Sequence, residues 1–245
     1  MKNKYKSTSL IGLYISYLFQ KATLIIMGIS LVAMIVFLVI ISNPWMDNTS
    51  YLFSSNDIHR GYLEQGIFVI QVFNSIILAT IVIQLFINSS SFDALFISYI
   101  SRKRICILKL VSVLIIISIL ILFEVLVLYF IPTFRYSLYK PNMIDLASIL
   151  YLFLGALFEV SFSILISSIV QSIFIPMGIL FVSIILKAIS SIEKLKNALS
   201  YFVPLVYIKD MKAYLGIHTI IISSMLVLVF LILYLNIYDR KDIKC

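Results

Sequence analysis

Long apolar segments separated by short polar ones dominate the pattern of this chain. A helix that crosses a bilayer needs roughly 20 mostly apolar residues, and runs of that length recur with few charges. The pattern predicts six spans at about 22–42, 66–87, 106–131, 145–170, 173–190 and 215–238. We therefore expect an all-α polytopic membrane protein in which residues 1–245 form a single transmembrane domain.

The fourth and fifth predicted spans are almost continuous. The apolar stretch from Leu146 to Leu186 is too long for one crossing. Gln171-Ser172 interrupts this stretch, and Pro176 stands where a new helix would begin. These residues predict a tight hairpin turn between the two spans.

An amphipathic segment precedes the first span. Leu10, Leu13, Tyr14, Tyr17 and Lys21 recur at helical spacing after a cluster of lysines. This spacing is typical of a helix that lies in the membrane interface. The alternative is a simple helical extension of the first span.

Composition and charge agree with a membrane location. The chain is 62% hydrophobic and 12% charged, with a formal net charge of +8. Its basic residues lie mainly at the ends of apolar spans, which indicates orientation in a bilayer and not nucleic-acid binding. With both termini in the cytoplasm, more Lys and Arg lie in inner segments than in outer ones, as the positive-inside rule requires. We expect a multi-pass protein of the plasma membrane, in contact with lipid.

Residues for catalysis or for holding a cofactor are not evident in the sequence. His59 and His218 are isolated, Cys106 and Cys245 are far apart, and metal-ligand spacing is absent. The glycines form no phosphate-binding loop. We therefore expect no enzyme activity, metal or cofactor in this chain, so any ATP and Mg would be bound by a partner ATPase.

Four polar residues fall inside the predicted spans. Gln71 and Asn74 share a face of the second span and suit interhelical hydrogen bonds. Glu124 is expected in the outer half of the third span and Glu159 in the inner half of the fourth, so the two would not form a catalytic dyad. Each carboxylate would pair with a hydroxyl, a Lys or an Arg, or else serve a function in the membrane.

The loop at 88–109 carries the most informative pattern. Ser90 is a candidate helix cap with Asp93 three residues later. The next residues form one apolar face of a short helix, made of Phe92, Leu95, Phe96 and Tyr99. A capped cytoplasmic helix with an aromatic ridge suits docking into a groove of a soluble partner. The alternative is a helix that rests on lipid headgroups.

The end of this loop resembles that of a known family. Ile100-Ser101-Arg102 followed by Lys109 resembles the first cytoplasmic loop of the ABC-2 type permease family, the membrane subunits of ATP-binding cassette exporters. The segment 198–205, with its Pro204, resembles the family's stretch before its last span. The resemblance implies an N-terminal interfacial helix, six spans, a cytoplasmic coupling helix and a re-entrant outer segment before the last span.

The same resemblance implies a function. The chain would be the permease subunit of an exporter that moves an amphipathic or hydrophobic substrate, such as a peptide toxin or antimicrobial peptide, out of a Gram-positive cell. Exporters of phenol-soluble modulins and of lantibiotics are of this kind. The chain would act as a homodimer or with a similar permease, and a cytoplasmic ATP-binding subunit would dock on the coupling helix up to Arg102. A different class remains open: a stand-alone immunity or sensor protein that binds a peptide toxin without ATP.

Overall fold

The fold is described from a computed structural model, for residues 7–42, 55–89, 93, 100–135, 143–170, 172, 174, 178 and 217–240. The helices whose bounds fall within these residues are α1 (Ser7–Leu18), α2 (Lys21–Ser42), α3 (Ser55–Val82), α4 (Arg102–Arg135), α5 (Met143–Val170) and α6 (Ile217–Arg240). A π-helical turn at Ile83–Ile87 continues α3. This part of the chain contains no strand, so the predicted all-α class is confirmed for it.

Among the described residues, five segments are long and apolar enough to cross a bilayer: Lys21–Ser42, Gln65–Ile87, Arg102–Ile131, Leu152–Val170 and Ile220–Tyr238. They coincide with the first four predicted spans and with the last one. Their length and composition indicate a membrane protein. The predicted span at 173–190 lies almost entirely outside the described residues, and the predicted re-entrant segment at 198–205 lies wholly outside them.

Helix α1 is separate from the first span. A break at Phe19 and Gln20 interrupts the helix before α2 begins. Leu10, Tyr14 and Leu18, spaced four residues apart on one face, are buried where α1 packs against α4 and the π-helical turn. The alternative expectation, that this segment is a helical extension of the first span, is therefore wrong.

Helix α3 occupies the centre of the bundle. It packs against α2, α4 and α5, while α6 packs mainly on α5. At Gly66 the helices approach closely, since an added Cβ would lie 2.6 Å from Cδ1 of Leu128 and 3.3 Å from Cδ2 of Leu38. An alanine here would require the Leu128 and Leu38 side-chain methyl groups to shift, so glycine relieves side-chain crowding at this contact.

The outward faces of α2 and α6 are apolar and exposed. The most exposed positions recur at helical spacing: Ile25, Ile29, Val32, Val36 and Ile40 in α2, and Ile221, Met225, Leu228 and Ile232 in α6. An apolar surface this large is unsuited to water. In a bilayer it contacts hydrocarbon of similar polarity, which agrees with spanning helices.

The end of α3 and the start of α4 lie at the same end of the bundle, here named the Asp93 end. The π-helical turn closes with a hydrogen bond of 2.9 Å from the Asn88 N–H to the Ile83 carbonyl. Helix α4 then starts at Arg102, and the Ser101 carbonyl accepts hydrogen bonds from the N–H groups of Arg104 and Ile105. The basic run Arg102-Lys103-Arg104 therefore forms the first residues of α4, about four residues before the predicted start of the third span.

Candidate functional site

A buried ion pair joins Asp93, which follows α3 in the chain, to helix α4. Asp93 is 3% exposed and Lys109 is 1% exposed. The Lys109 ammonium group donates to Oδ2 of Asp93 and, at 2.6 Å, to the Ser89 hydroxyl. Because a buried charge is costly unless it is paired and hydrogen-bonded, this geometry fixes Asp93 against the first turns of α4.

Helix α1 contributes the third side of this site. The Tyr14 hydroxyl donates a hydrogen bond of 3.0 Å to Oδ1 of Asp93. The Tyr17 hydroxyl donates another hydrogen bond, also of 3.0 Å, to the carbonyl of Asn88, which directly follows the π-helical turn. Polar contacts at Asn88, Ser89 and Asp93 thus join the N-terminal helix to the end of α3 and the start of α4.

Aromatic rings complete the surroundings of the Lys109 ammonium group. Its nitrogen lies 5.8 Å from the Tyr14 ring centroid and 5.7 Å from the Phe86 ring centroid. Both distances are within the range of cation–π attraction. Phe86 belongs to the π-helical turn, a type of irregularity that often occurs at functional positions. We name Tyr14, Phe86, Ser89, Asp93 and Lys109 the charge-pair cluster.

Protonation at the charge-pair cluster follows from burial and from the neighbouring groups. Burial raises the pKa of the Asp93 carboxyl, and the Lys109 ammonium group with the hydrogen bonds from Tyr14 and Ser89 opposes that rise. Burial and the nearby Asp93 charge raise the pKa of the Tyr14 phenol, which therefore remains a donor at neutral pH. The cluster is suited to holding three segments together and offers no free nucleophile or base.

Few of the predicted docking residues lie in the described part of the chain. Asp93 and Arg102 are described, whereas Ser90, Phe92, Leu95, Phe96 and Tyr99 lie outside it. The Asp93 side chain faces the bundle, so within a docking helix it would anchor the helix and would not contact a partner. Residue spacing did not indicate its pairing with Lys109. The available signal was a Lys several residues inside an apolar helix, which requires a counterion.

A second buried polar site lies along α3, deep in the bundle. Asn74 donates from Nδ2 to Oε2 of Glu124 in α4 at 3.0 Å. The next residue, Ser75, donates from its hydroxyl to Oε1 of Glu159 in α5 at 3.3 Å. Gln71 lies one helical turn before Ser75 and is also buried. We name Gln71, Asn74, Ser75, Glu124 and Glu159 the carboxyl cluster.

The expectation that the two carboxylates lie at different depths is wrong. Their partners are consecutive residues of α3, about 1.5 Å apart along the helix axis. The error came from counting depth from the start of the third span, because α4 begins several residues beyond the end of α3 at the Asp93 end. Lys109 contacts Ser89 beyond the end of α3, so Glu124 lies closer to the Asp93 end than that boundary implied. The expected hydroxyl partner of Glu159 is confirmed, whereas Glu124 has an amide partner.

The carboxyl cluster has unused hydrogen-bonding capacity. Glu124 is 0% exposed and Glu159 is 4% exposed. Three acceptor oxygens have no partner, namely Oδ1 of Asn74, Oε1 of Glu124 and Oε2 of Glu159, and the Gln71 Nε2 donor also has none. In the described part of the chain, no Lys, Arg or His pairs with either carboxylate. Among the described residues, the two carboxyls therefore share an apolar interior without a counterion.

Metal ligation and sequence comparison add little to this picture. The described residues contain no group of three or more His, Cys, Asp and Glu side chains placed to hold a metal ion. A scan of the sequence against protein-family models and a search of curated proteins find no match.

Proposed function

We propose that this chain is the permease subunit of an ATP-binding cassette exporter, with a separate ATPase docked on residues 90–101. The observation that carries the proposal is the anchoring of Asp93, in the first turn of the predicted docking helix, to Lys109 in α4 and to Tyr14 in α1. A docking helix that transmits force must be fixed to the helices that it moves. The charge-pair cluster supplies such a fixed connection.

The proposed orientation puts the Asp93 end and both termini in the cytoplasm. It is supported by Arg102, Lys103 and Arg104, which begin α4 at this end, because Lys and Arg are concentrated on the cytoplasmic side of membrane proteins. The docking helix and α1 then face the compartment that contains ATP.

The mechanism couples ATPase closure to movement of the spans. Closure of the nucleotide-binding subunits would displace the helix at 90–101, and Asp93 would carry that displacement to α1 and α4. In a dimer of permeases, this movement would alternate the access of a route between the protomers. Such a route suits an amphipathic or hydrophobic substrate, such as a peptide toxin or antimicrobial peptide.

Removal of one aromatic anchor tests the docking assignment. If Phe96 fills a pocket in the ATPase, Phe96→Ala should weaken association by about 2 kcal/mol or more, roughly a 30-fold loss. Co-purification of the ATPase encoded beside this chain, at matched expression, measures the effect. The membrane fold should persist because spanning helices satisfy their own backbone hydrogen bonds.

The matched control is Phe19→Ala, which removes an exposed aromatic side chain at the same end of the bundle. It should leave ATPase recovery unchanged. Equal recovery with wild type and Phe96→Ala would contradict the docking assignment. Toxin protection by the chain alone, without an ATPase, would support a stand-alone immunity protein instead.

A further inference from the structure

We propose that the carboxyl cluster is a binding site for the primary ammonium group of an alkylamine-like ligand inside the bilayer. The inference concerns the interior of a single protomer and needs no ATPase. It can therefore fail or succeed independently of the proposed export function.

The unpaired oxygens of the carboxyl cluster match the hydrogen-bonding groups of a primary amine. A primary ammonium group has three N–H donors, and the cluster has three acceptor oxygens without partners: Oδ1 of Asn74, Oε1 of Glu124 and Oε2 of Glu159. Asn74 is 3% exposed, and its other amide atom already contacts Glu124, so its free oxygen belongs to the same site. Unpaired buried polar atoms are costly, and an ammonium ligand would satisfy them.

The charge of the two buried carboxyls also favours a cationic ligand. Two ionised carboxylates without a counterion in an apolar interior would carry a large desolvation cost. Without ligand, both carboxyls are therefore protonated. When an ammonium group binds, one carboxyl releases its proton to water and becomes a carboxylate. Glu124 is then the anion, and its Oε1 accepts from the ammonium group. Glu159 stays neutral and donates from Oε1 to the Ser75 hydroxyl, which in turn donates to the Gln71 carbonyl at 3.1 Å, so Oε2 of Glu159 remains an acceptor. With the ammonium cation, the occupied site has no net charge.

A buried group of apolar side chains next to Glu159 would contact the hydrocarbon chain of the ligand. Phe158 and Phe162 of α5 pack against Phe230 of α6, with ring centroids 5.6 to 6.1 Å apart. Val72 of α3 packs against the same group of side chains. Because Phe158 adjoins Glu159 in α5 and is buried, the hydrocarbon chain of a bound amine would insert among these side chains and displace part of their packing. The site therefore selects an amine attached to an apolar chain over a bare ammonium ion.

Direct binding to the full chain in lipid nanodiscs tests the proposal. Octylamine should bind saturably above the level of empty nanodiscs. Octanol lacks the charge and octyltrimethylammonium lacks N–H donors, so both should bind at least tenfold more weakly. The double variant Glu124→Gln/Glu159→Gln should lose binding by a similar factor. Ser112→Ala should not, because Ser112 is equally buried in α4 but, among the described residues, bonds to the carbonyl of Leu108 and not to the carboxyl cluster.

A measurement on the wild-type protein excludes misfolding as an explanation. Dicyclohexylcarbodiimide reacts with protonated carboxyls in apolar surroundings, and mass spectrometry locates the modification. Octylamine should slow labelling at Glu124 and Glu159 at least fivefold, whereas octanol should not. Unchanged labelling with octylamine would overturn the proposal. Equal octylamine binding by wild type and the double Gln variant would also overturn it.

Discussion

The charge-pair cluster and the carboxyl cluster are both buried between helices. They differ in how many of their polar atoms have hydrogen-bond partners. In the first, Asp93 has partners on both oxygens and Lys109 has two oxygen acceptors and two aromatic rings. In the second, Glu124 and Glu159 each use one oxygen and leave the other without a partner. A site whose polar groups are all paired is suited to rigidity. A site with unused capacity is suited to binding a ligand.

The largest expected effect comes from removing one charge of the pair. Lys109→Met leaves the Asp93 carboxylate buried without its cation, and loss of one partner of a buried pair costs about 3–5 kcal/mol of folding free energy. Unfolding of the purified protein in mixed micelles measures this loss. The double variant Asp93→Asn/Lys109→Met removes both charges and should recover most of the stability. A double variant as unstable as the single one would contradict the importance of charge balance.

A smaller effect is expected from the contact between α1 and the pair. Tyr14→Phe removes the hydrogen bond to Oδ1 of Asp93 but retains the ring beside Lys109. Hydrogen bonds to charged groups contribute about 1.5–3 kcal/mol, so the midpoint of unfolding should fall by less than in Lys109→Met. The same variant should speed proteolysis of α1 in the folded protein. Unchanged proteolysis would mean that α1 is held by its apolar face alone.

The smallest effects are expected at the carboxyl cluster, where they sharpen the contrast. Glu124→Gln retains the oxygen that accepts from Asn74. It replaces a protonated, uncharged carboxyl by an uncharged amide, so the free energy of unfolding should change by less than about 0.5 kcal/mol. Glu124→Leu leaves the Asn74 amide unpaired and should cost about 1–3 kcal/mol. The micelle unfolding assay measures both. If Gln is as harmful as Leu, an ionised Glu124 would be part of the folded state.

Residue pattern predicted the helices better than it predicted their contacts. The first four predicted spans and the last one match described helices, and most helix ends lie within a few residues of the predicted ones. They match because the required apolar length follows from bilayer thickness. The segment at 10–21 was correctly identified as amphipathic, but only the break at Phe19 and Gln20 distinguishes a separate helix from an extension. Exposed Leu13 shows that the buried face was predicted only in part.

Sequence alone determined that the chain is helical, apolar and span-forming, and that Glu124 and Glu159 are unusual, since these properties depend on local composition and on the solvent around each helix. Tertiary structure decided which polar groups meet. Asp93 meets Lys109 across 16 residues and Tyr14 across 79, while Asn74 meets Glu124 across 50. These pairings depend on the packing register of α1, α3 and α4. A shift of one helical turn, about 5.4 Å, would separate every pair.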